Sequence, residues 1–226
     1  MTPPPVRLAV LVSGGGTNLL ALLDAVADSG VARVARVVSS RADAGALERA
    51  RQRGVHAMVL SHPADADEVV ASLGDAELVV LAGYLKRVPP AAVARFPLRM
   101  INIHPALLPA FGGLGMYGRR VHERVLASGA AISGATVHYV DEEYDRGPII
   151  AQWPVPVRPG DTPDTLAARV LEVEHRLLPL VALELAQRGV PRVPVRLFPD
   201  GPAFSVQDSL VMRFADEGRE RTGSPS

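Results

Sequence analysis

Asn102 and His104 stand two residues apart in the run Met100 to His104, an otherwise apolar stretch that reads as a buried strand. Side chains at i and i+2 of a strand share a face, so an amide and an imidazole can converge there on one substrate atom. Such a pair can hold a developing oxyanion and move a proton. A second group lies at Ser13-Gly14-Gly15-Gly16-Thr17-Asn18, between an aliphatic run and a helical one. It offers free backbone N–H groups, a hydroxyl and an amide at the positive end of a helix, which suits a phosphate. The dinucleotide fingerprint needs a third glycine where Leu19 stands, and Ser39-Ser40-Arg41 occupies the place of the ribose-binding acid. That argues against NAD but leaves NADP open through Arg41. No Lys-Ser or Lys-Thr follows the glycines, so the loop is not of the Walker type. A simpler reading makes Thr17 or Asn18 an ordinary helix cap.

Other candidates carry less. His56, His62, His122 and His175 fall in ordinary surface or helix contexts, and His138 lies within a strand as a possible core residue near the site. His122-Glu123 opens like a zinc-protease motif but has Leu126 where the second histidine belongs. Asp141 to Pro148 is a charged turn between apolar strands, which by pattern alone is a solvated connection. No Gly-x-Ser-x-Gly elbow occurs.

These residues require a scaffold, and the chain supplies alternating short aliphatic runs and longer stretches of helical period. Strands are expected at Val6 to Val12, Val34 to Val38, Ala57 to Leu60, Leu78 to Ala82, Met100 to His104, Ile132 to Val140 and Ile149 to Val157. Helices are expected at Leu19 to Val26, Ala44 to Arg53, Ala66 to Leu73, Pro90 to Phe96, Arg119 to Ala127 and Pro163 to Arg188, the last kinked or broken at Pro179. The pattern is an α/β fold, a mostly parallel twisted sheet of about seven strands flanked by helices. The stretch Pro105 to Gly118, rich in glycine and without a period, reads as a long functional loop just after the Asn102/His104 strand. Residues 1–190 form the expected catalytic domain. Residues 191–226 form an extension, with a small hairpin within Val193 to Phe204 and a polar tail from Asp216.

The totals remove whole classes of function. Lys+Arg and Asp+Glu are both 24 among 226 residues, so no broad positive field exists for nucleic acid or an anionic membrane. The absence of cysteine removes disulfides, thiolate metal sites and cysteine nucleophiles together. No metal ligand set is evident. No apolar run reaches the roughly 18 residues of a membrane span, and no targeting segment opens the chain, so a cytoplasmic location is expected.

Four strings then carry a resemblance: Ser13 to Asn18, Leu81-Ala82-Gly83-Tyr84, Ile101-Asn102-Ile103-His104-Pro105-Ala106-Leu107-Leu108-Pro109, and Asp145-Arg146-Gly147-Pro148. In order and spacing, from about Val6 to Gly189, they resemble the folate-dependent formyltransferases, and within them the branch acting on phosphoribosylglycinamide in de novo purine synthesis. The resemblance implies transfer of a formyl group from 10-formyltetrahydrofolate, a cosubstrate rather than a tightly bound cofactor, to the amino group of 5'-phosphoribosylglycinamide. It implies small-molecule substrates only, and a monomer or homodimer. By position it implies catalytic roles for Asn102, His104 and Asp145. Gly16, Thr17, Asn18 and Glu174 would bind phosphoribosylglycinamide, and Leu85, Lys86, Arg87 and Val88 would bind the folate together with Asn102. Asp145 is expected to raise the pKa of His104. A relative acting on methionyl-tRNA would carry a further C-terminal domain and a formyl-folate deformylase an extra N-terminal one, and neither is expected here. Formyl-folate hydrolysis and a non-catalytic phosphoribosyl-binding module remain the alternatives. Three features depart from the family: Arg146 beside Asp145, the unusual loop from Phe111 to Arg120, and the segment Ser61 to Val70, which has no arginine for the folate.

Overall fold

The first strand, β1 (Val6–Val12), is apolar at nearly every position because both of its faces are covered. Leu8, Val10 and Val12 join one core cluster and Ala9 and Leu11 the other, as the two-residue period of a strand requires. This computed structural model describes residues 3–189 and 194–197. After β1 come α1 (Thr17–Ala27), β2 (Ala32–Ser39), α2 (Gly45–Gln52), β3 (His56–Val59), α3 (Ala66–Leu73), β4 (Leu78–Leu81), α4 (Pro90–Ala94) and β5 (Met100–His104). The second half holds α5 (Arg119–Ala127), β6 (Ile132–Tyr139), β7 (Ile149–Pro156) and α6 (Pro163–Arg188). All seven expected strands form, with ends shifted by one or two residues at most.

They make one sheet in the order β3-β2-β1-β4-β5-β6-β7. The first five strands in that order run parallel, and β6 and β7 are antiparallel to their neighbours. Helices α1 and α6 cover one face, with Leu19, Leu22, Leu166 and Leu178 against Leu8 and Val10. On the other face α3 and α4 place Val69, Leu73, Ala92 and Val93 against Leu11 and Val79. Connections leave β1 toward β2 on one side and return to β4 on the other. The carboxyl ends of β1 and β4 therefore flank a switch point, the place where open α/β sheets hold ligands.

Helix α6 is not broken at its internal proline and runs through Pro179. An internal proline costs about 3 kcal/mol, but α6 buries Leu166, Val170, Leu177, Leu178, Val181 and Leu185 along one face. Each such burial is worth about 1.5–3 kcal/mol, and Pro179 is itself buried among them, so packing outweighs the local preference. Of the expected hairpin only residues 194–197 are described. They form no regular element there, and the Leu197 N–H donates to the Ile150 carbonyl at 2.7 Å. The rest of that segment and the expected tail lie outside the described residues.

Candidate active site

Strand β5 delivers Asn102 and His104 to the carboxyl edge of the sheet, and the cavity beyond it has a volume of about 480 Å³. His104 is 3 % exposed. Its Nε2 lies 2.9 Å from the Phe111 carbonyl, which can only accept, so Nε2 carries a hydrogen. Its Nδ1 faces Asp145 Oδ2 at 3.6 Å, within ion-pair reach but too long for a hydrogen bond. The turn acid is thus brought to the ring although nothing in its local pattern foretold it. Asp145 adopts φ 55°, a left-handed conformation that Asp tolerates better than most residues. Two residues on, a Cβ at Gly147 would run into the Tyr139 carbonyl, so only glycine lets the turn press against the end of β6.

His138 completes the cluster from β6, paired directly across from Asn102. Its Nδ1 donates to the Tyr139 carbonyl at 2.8 Å, and its Nε2 lies 3.0 Å from Asn102 Nδ2 and 3.5 Å from Asp145 Oδ1. With Nδ1 carrying the hydrogen, Nε2 accepts from Asn102 Nδ2 and so orients the amide, which makes His138 a member of the site that the sequence leaves ambiguous. The loop after β5 is tied in as well: the Gly113 N–H donates to Asp145 Oδ2 at 2.9 Å.

Asp145 raises the pKa of His104 as expected, but it is not the strongest influence on the ring. Burial is the strongest influence on His104 and lowers its pKa; Asp145 and the Phe111 carbonyl push it back up, and His138 pushes it down again. The net direction is down, which favours the neutral ring over the charged one. Asp145 does favour imidazolium, as its charge dictates, but at 3.6 Å it does not overcome desolvation. The carboxyl of Asp145 is itself raised by burial, yet His138, His104 and the Gly113 N–H together bring it below its ordinary value.

On the α1 side of the cavity, Asn18 and Glu174 meet: Asn18 Nδ2 donates to Glu174 Oε2 at 2.6 Å, with both residues buried. Helix α1 is capped by Gly16 with no side-chain cap bond, so neither Thr17 nor Asn18 acts as the cap that the sequence allowed. Gly16 has φ 82°, and a Cβ there would lie 2.6 Å from the Ala46 side chain, which explains a glycine at that turn without invoking a ligand. Gly16 and the exposed Thr17 stand beside the cavity rather than in its wall, whereas Asn18 and Glu174 line it.

Burial pushes the Glu174 carboxyl up from its ordinary 4.5 to about 7, against the pull of the Asn18 N–H. A carboxyl raised in the folded state stabilises that state most below its unfolded value. The contribution, on the order of 3 kcal/mol, is lost as pH climbs from about 4.5 to about 7. Urea unfolding across that range is expected to show this decline, and Glu174→Gln, which cannot ionise, is expected to flatten it. An equal slope in the variant would assign the effect to another group.

Opposite, Leu85, Lys86, Arg87 and Val88 line the cavity after β4. Ser13 ties this segment to the glycine loop, because its Oγ accepts from the Leu85 N–H at 2.9 Å and lies 2.6 Å from Ser40 Oγ. Arg87 Nη2 donates to the Glu142 carbonyl at 2.6 Å, so the Leu85–Val88 segment and the Asp145 turn brace each other. Tyr84 also lines the cavity, and burial followed by Tyr144 pushes its hydroxyl up to about 12. His122, which the sequence places in an ordinary helical context, is 4 % exposed and forms part of the cavity wall. Its signal was its place three residues before Val125, on the face α5 buries. Arg146 is exposed and stands outside the wall. Arg41, the anchor of the NADP reading, is exposed and makes a two-pronged contact with Asp43 at 2.9 and 2.6 Å. Among the described residues no three His, Cys, Asp or Glu side chains are grouped to hold a metal ion, and no helix is long and apolar enough to cross a membrane.

The buried His104 and the half-buried Asn102 and Asp145 thus share one cavity at the carboxyl edge of the sheet. Residues 6–182 match the model of a family described as formyl transferase. The chain belongs to that family. This formyl transferase is 39% identical over 185 residues to the phosphoribosylglycinamide formyltransferase of Escherichia coli (strain K12), covering 78% of its own length and 85% of that relative. It is 42% identical over 216 residues to the chloroplastic phosphoribosylglycinamide formyltransferase of Arabidopsis thaliana, covering 88% and 74%. Among solved structures, the formyl transferase superposes on glycinamide ribonucleotide transformylase 1 from Symbiobacterium toebii with a TM-score of 0.77 at 39% identity, covering 88% and 96% of the two chains.

Proposed function

We propose that this formyl transferase passes the formyl group of 10-formyltetrahydrofolate to the amino group of phosphoribosylglycinamide. What carries the reading is that a single cavity joins the Asn18–Glu174 wall, the Leu85–Val88 wall and the Asn102/His104/Asp145 cluster between them. The acceptor lies along the first wall, with its phosphate toward Gly16, Thr17 and Asn18 at the start of α1 and its ribosyl part toward Glu174. The folate lies along the second, gripped by the backbone of Leu85, Lys86, Arg87 and Val88. The two reacting groups meet at His104.

The chemistry needs no covalent enzyme intermediate. The acceptor amine attacks the formyl carbon, and the carbonyl electron pair moves onto oxygen. Asn102 Nδ2 keeps one hydrogen for the cavity while the other points to His138, so it donates to that oxyanion. His104 Nε2–H serves as a second donor once substrate displaces the Phe111 carbonyl. The bare Nδ1 of the neutral ring, backed by Asp145, gains affinity for a proton as negative charge develops beside it. The amine's proton leaves, the carbon–N10 bond breaks, and N10 is protonated, yielding formylated acceptor and tetrahydrofolate in balance.

The test follows folate absorbance after mixing 10-formyltetrahydrofolate with the protein, with and without phosphoribosylglycinamide. Acceptor-dependent release of tetrahydrofolate is expected. Formate release at the same rate without acceptor would replace the transferase reading with a hydrolase, and tight acceptor binding without any folate product would replace it with a binding module.

A further inference from the structure

Ser13 opens the loop that suits a phosphate, yet its side chain reaches the opposite wall. The segment Leu85 to Val88 lies between β4 and α4, with no helix or strand of its own to hold it. Among the described residues its backbone makes one hydrogen bond, from the Leu85 N–H to Ser13 Oγ at 2.9 Å. Its other N–H and C=O groups are left for a ligand or water, as a segment that grips a substrate through its backbone requires.

The anchor is itself well fixed. Ser13 follows β1 directly, and its N–H donates to the Gly83 carbonyl at 3.1 Å, which carries the pairing of β1 with β4 beyond Leu11 and Leu81. On its other side Ser13 Oγ lies 2.6 Å from Ser40 Oγ, and Ser40 is held just after β2 by its own N–H, which donates to the Val12 carbonyl at 3.1 Å. Ser13 is 3 % exposed and forms no part of the cavity wall, so it acts on a substrate only through what it holds. The glycine loop beyond it is kept by bonds that do not use the hydroxyl. The Ala46 N–H donates to the Gly14 carbonyl at 3.1 Å and the Leu20 N–H to the Gly16 carbonyl at 3.0 Å.

Resting on the proposed function, we infer that Ser13 is a positioning residue for the folate and not for the acceptor. Its hydroxyl holds the Leu85 N–H and so sets where the backbone of Leu85 to Val88 meets 10-formyltetrahydrofolate. The first residue of the glycine loop thus serves the substrate on the far wall.

Steady-state kinetics in both substrates, with calorimetric titration of phosphoribosylglycinamide and thermal unfolding alongside, compare wild type with Ser13→Ala and Ser40→Ala. Ser13→Ala is expected to raise the KM for 10-formyltetrahydrofolate about 5- to 10-fold, the value of one neutral hydrogen bond. Its kcat and its dissociation constant for the acceptor should stay within about 2-fold of wild type, because the lost contact serves ground state and transition state alike. Its thermal midpoint should fall by only about 2–4 °C, so the variant is assayed folded. Ser40→Ala leaves a Ser13 lone pair for the Leu85 N–H and should move the folate KM by less than about 2-fold. An unchanged folate KM in Ser13→Ala, with wild type still turning over, overturns the inference alone. So does an equal loss for both substrates, which would mean that the hydroxyl holds the glycine loop as a whole, and so does a Ser40→Ala protein as impaired as Ser13→Ala. A wild-type protein without acceptor-dependent turnover overturns the proposed function, and the inference with it.

Discussion

Replacing His104 by alanine is expected to lower kcat by about 10²–10⁴ while leaving the dissociation constant of phosphoribosylglycinamide within a few-fold of wild type. The imidazole is the group at the centre of the cluster that can both donate at Nε2 and take a proton at Nδ1, with the Phe111 carbonyl and Asp145 marking those two directions. Removing it leaves Asp145 with the Gly113 N–H, so the carboxylate keeps a donor and the fold should persist. Asn102→Ala removes an oxyanion donor and should cost about 10²–10³. Because both act on one oxygen, the double variant should lose less than the product of the two. Single-turnover formyl transfer measures all three. A His104→Ala protein near the wild-type rate would remove the histidine from the chemistry.

What the sequence could and could not declare follows the range of the interactions. The strands were legible because a parallel sheet buried on both faces demands unbroken aliphatic runs, as in Leu8 to Val12. The Asn102/His104 pair was legible because strand period alone fixes their common face. Asp145 was legible only through family resemblance. Its approach to His104 depends on a left-handed φ and on contact of the turn with Tyr139, neither of which has a local pattern. The neutral state of His104 is hidden from the sequence for a related reason. Charge signs can be read from sequence, but the depth of burial that outweighs Asp145 is a property of the packed loop and strands. Pro179 shows the converse, a strong local rule overridden by the apolar face of α6. His138 meets Asn102, 36 residues away in sequence, so spacing gave no warning of that contact, whereas the burial of His122 could be read from its place three residues before Val125 in α5.

Asp145 supplies the other large effect, and its backbone dictates how it must be tested. Asp145→Asn preserves shape and tolerates φ 55°, whereas Asp145→Ala forces an alanine into a conformation that costs about 1–2 kcal/mol for most residues. The asparagine variant isolates the charge. Without the carboxylate, the influence that raises the His104 pKa most strongly is gone, so protonation of Nδ1 becomes harder. We expect kcat to fall by about 10²-fold or more, and the limb of the pH–rate profile belonging to His104 to move to lower pH. Stability should respond with its own sign. The Asp145 carboxyl lies below its ordinary 3.8, so its contribution is present above that value and lost as pH falls through the folded one; Asp145→Asn should lack this acid-side loss. At neutral pH the alanine variant should unfold more readily than the asparagine variant by at least about 1 kcal/mol, because it carries the left-handed backbone cost and also loses the acceptor for the Gly113 N–H, which an asparagine oxygen keeps. A pH–rate profile that does not move in Asp145→Asn would mean that the carboxylate holds the loop through Gly113 and leaves the proton on His104 untouched.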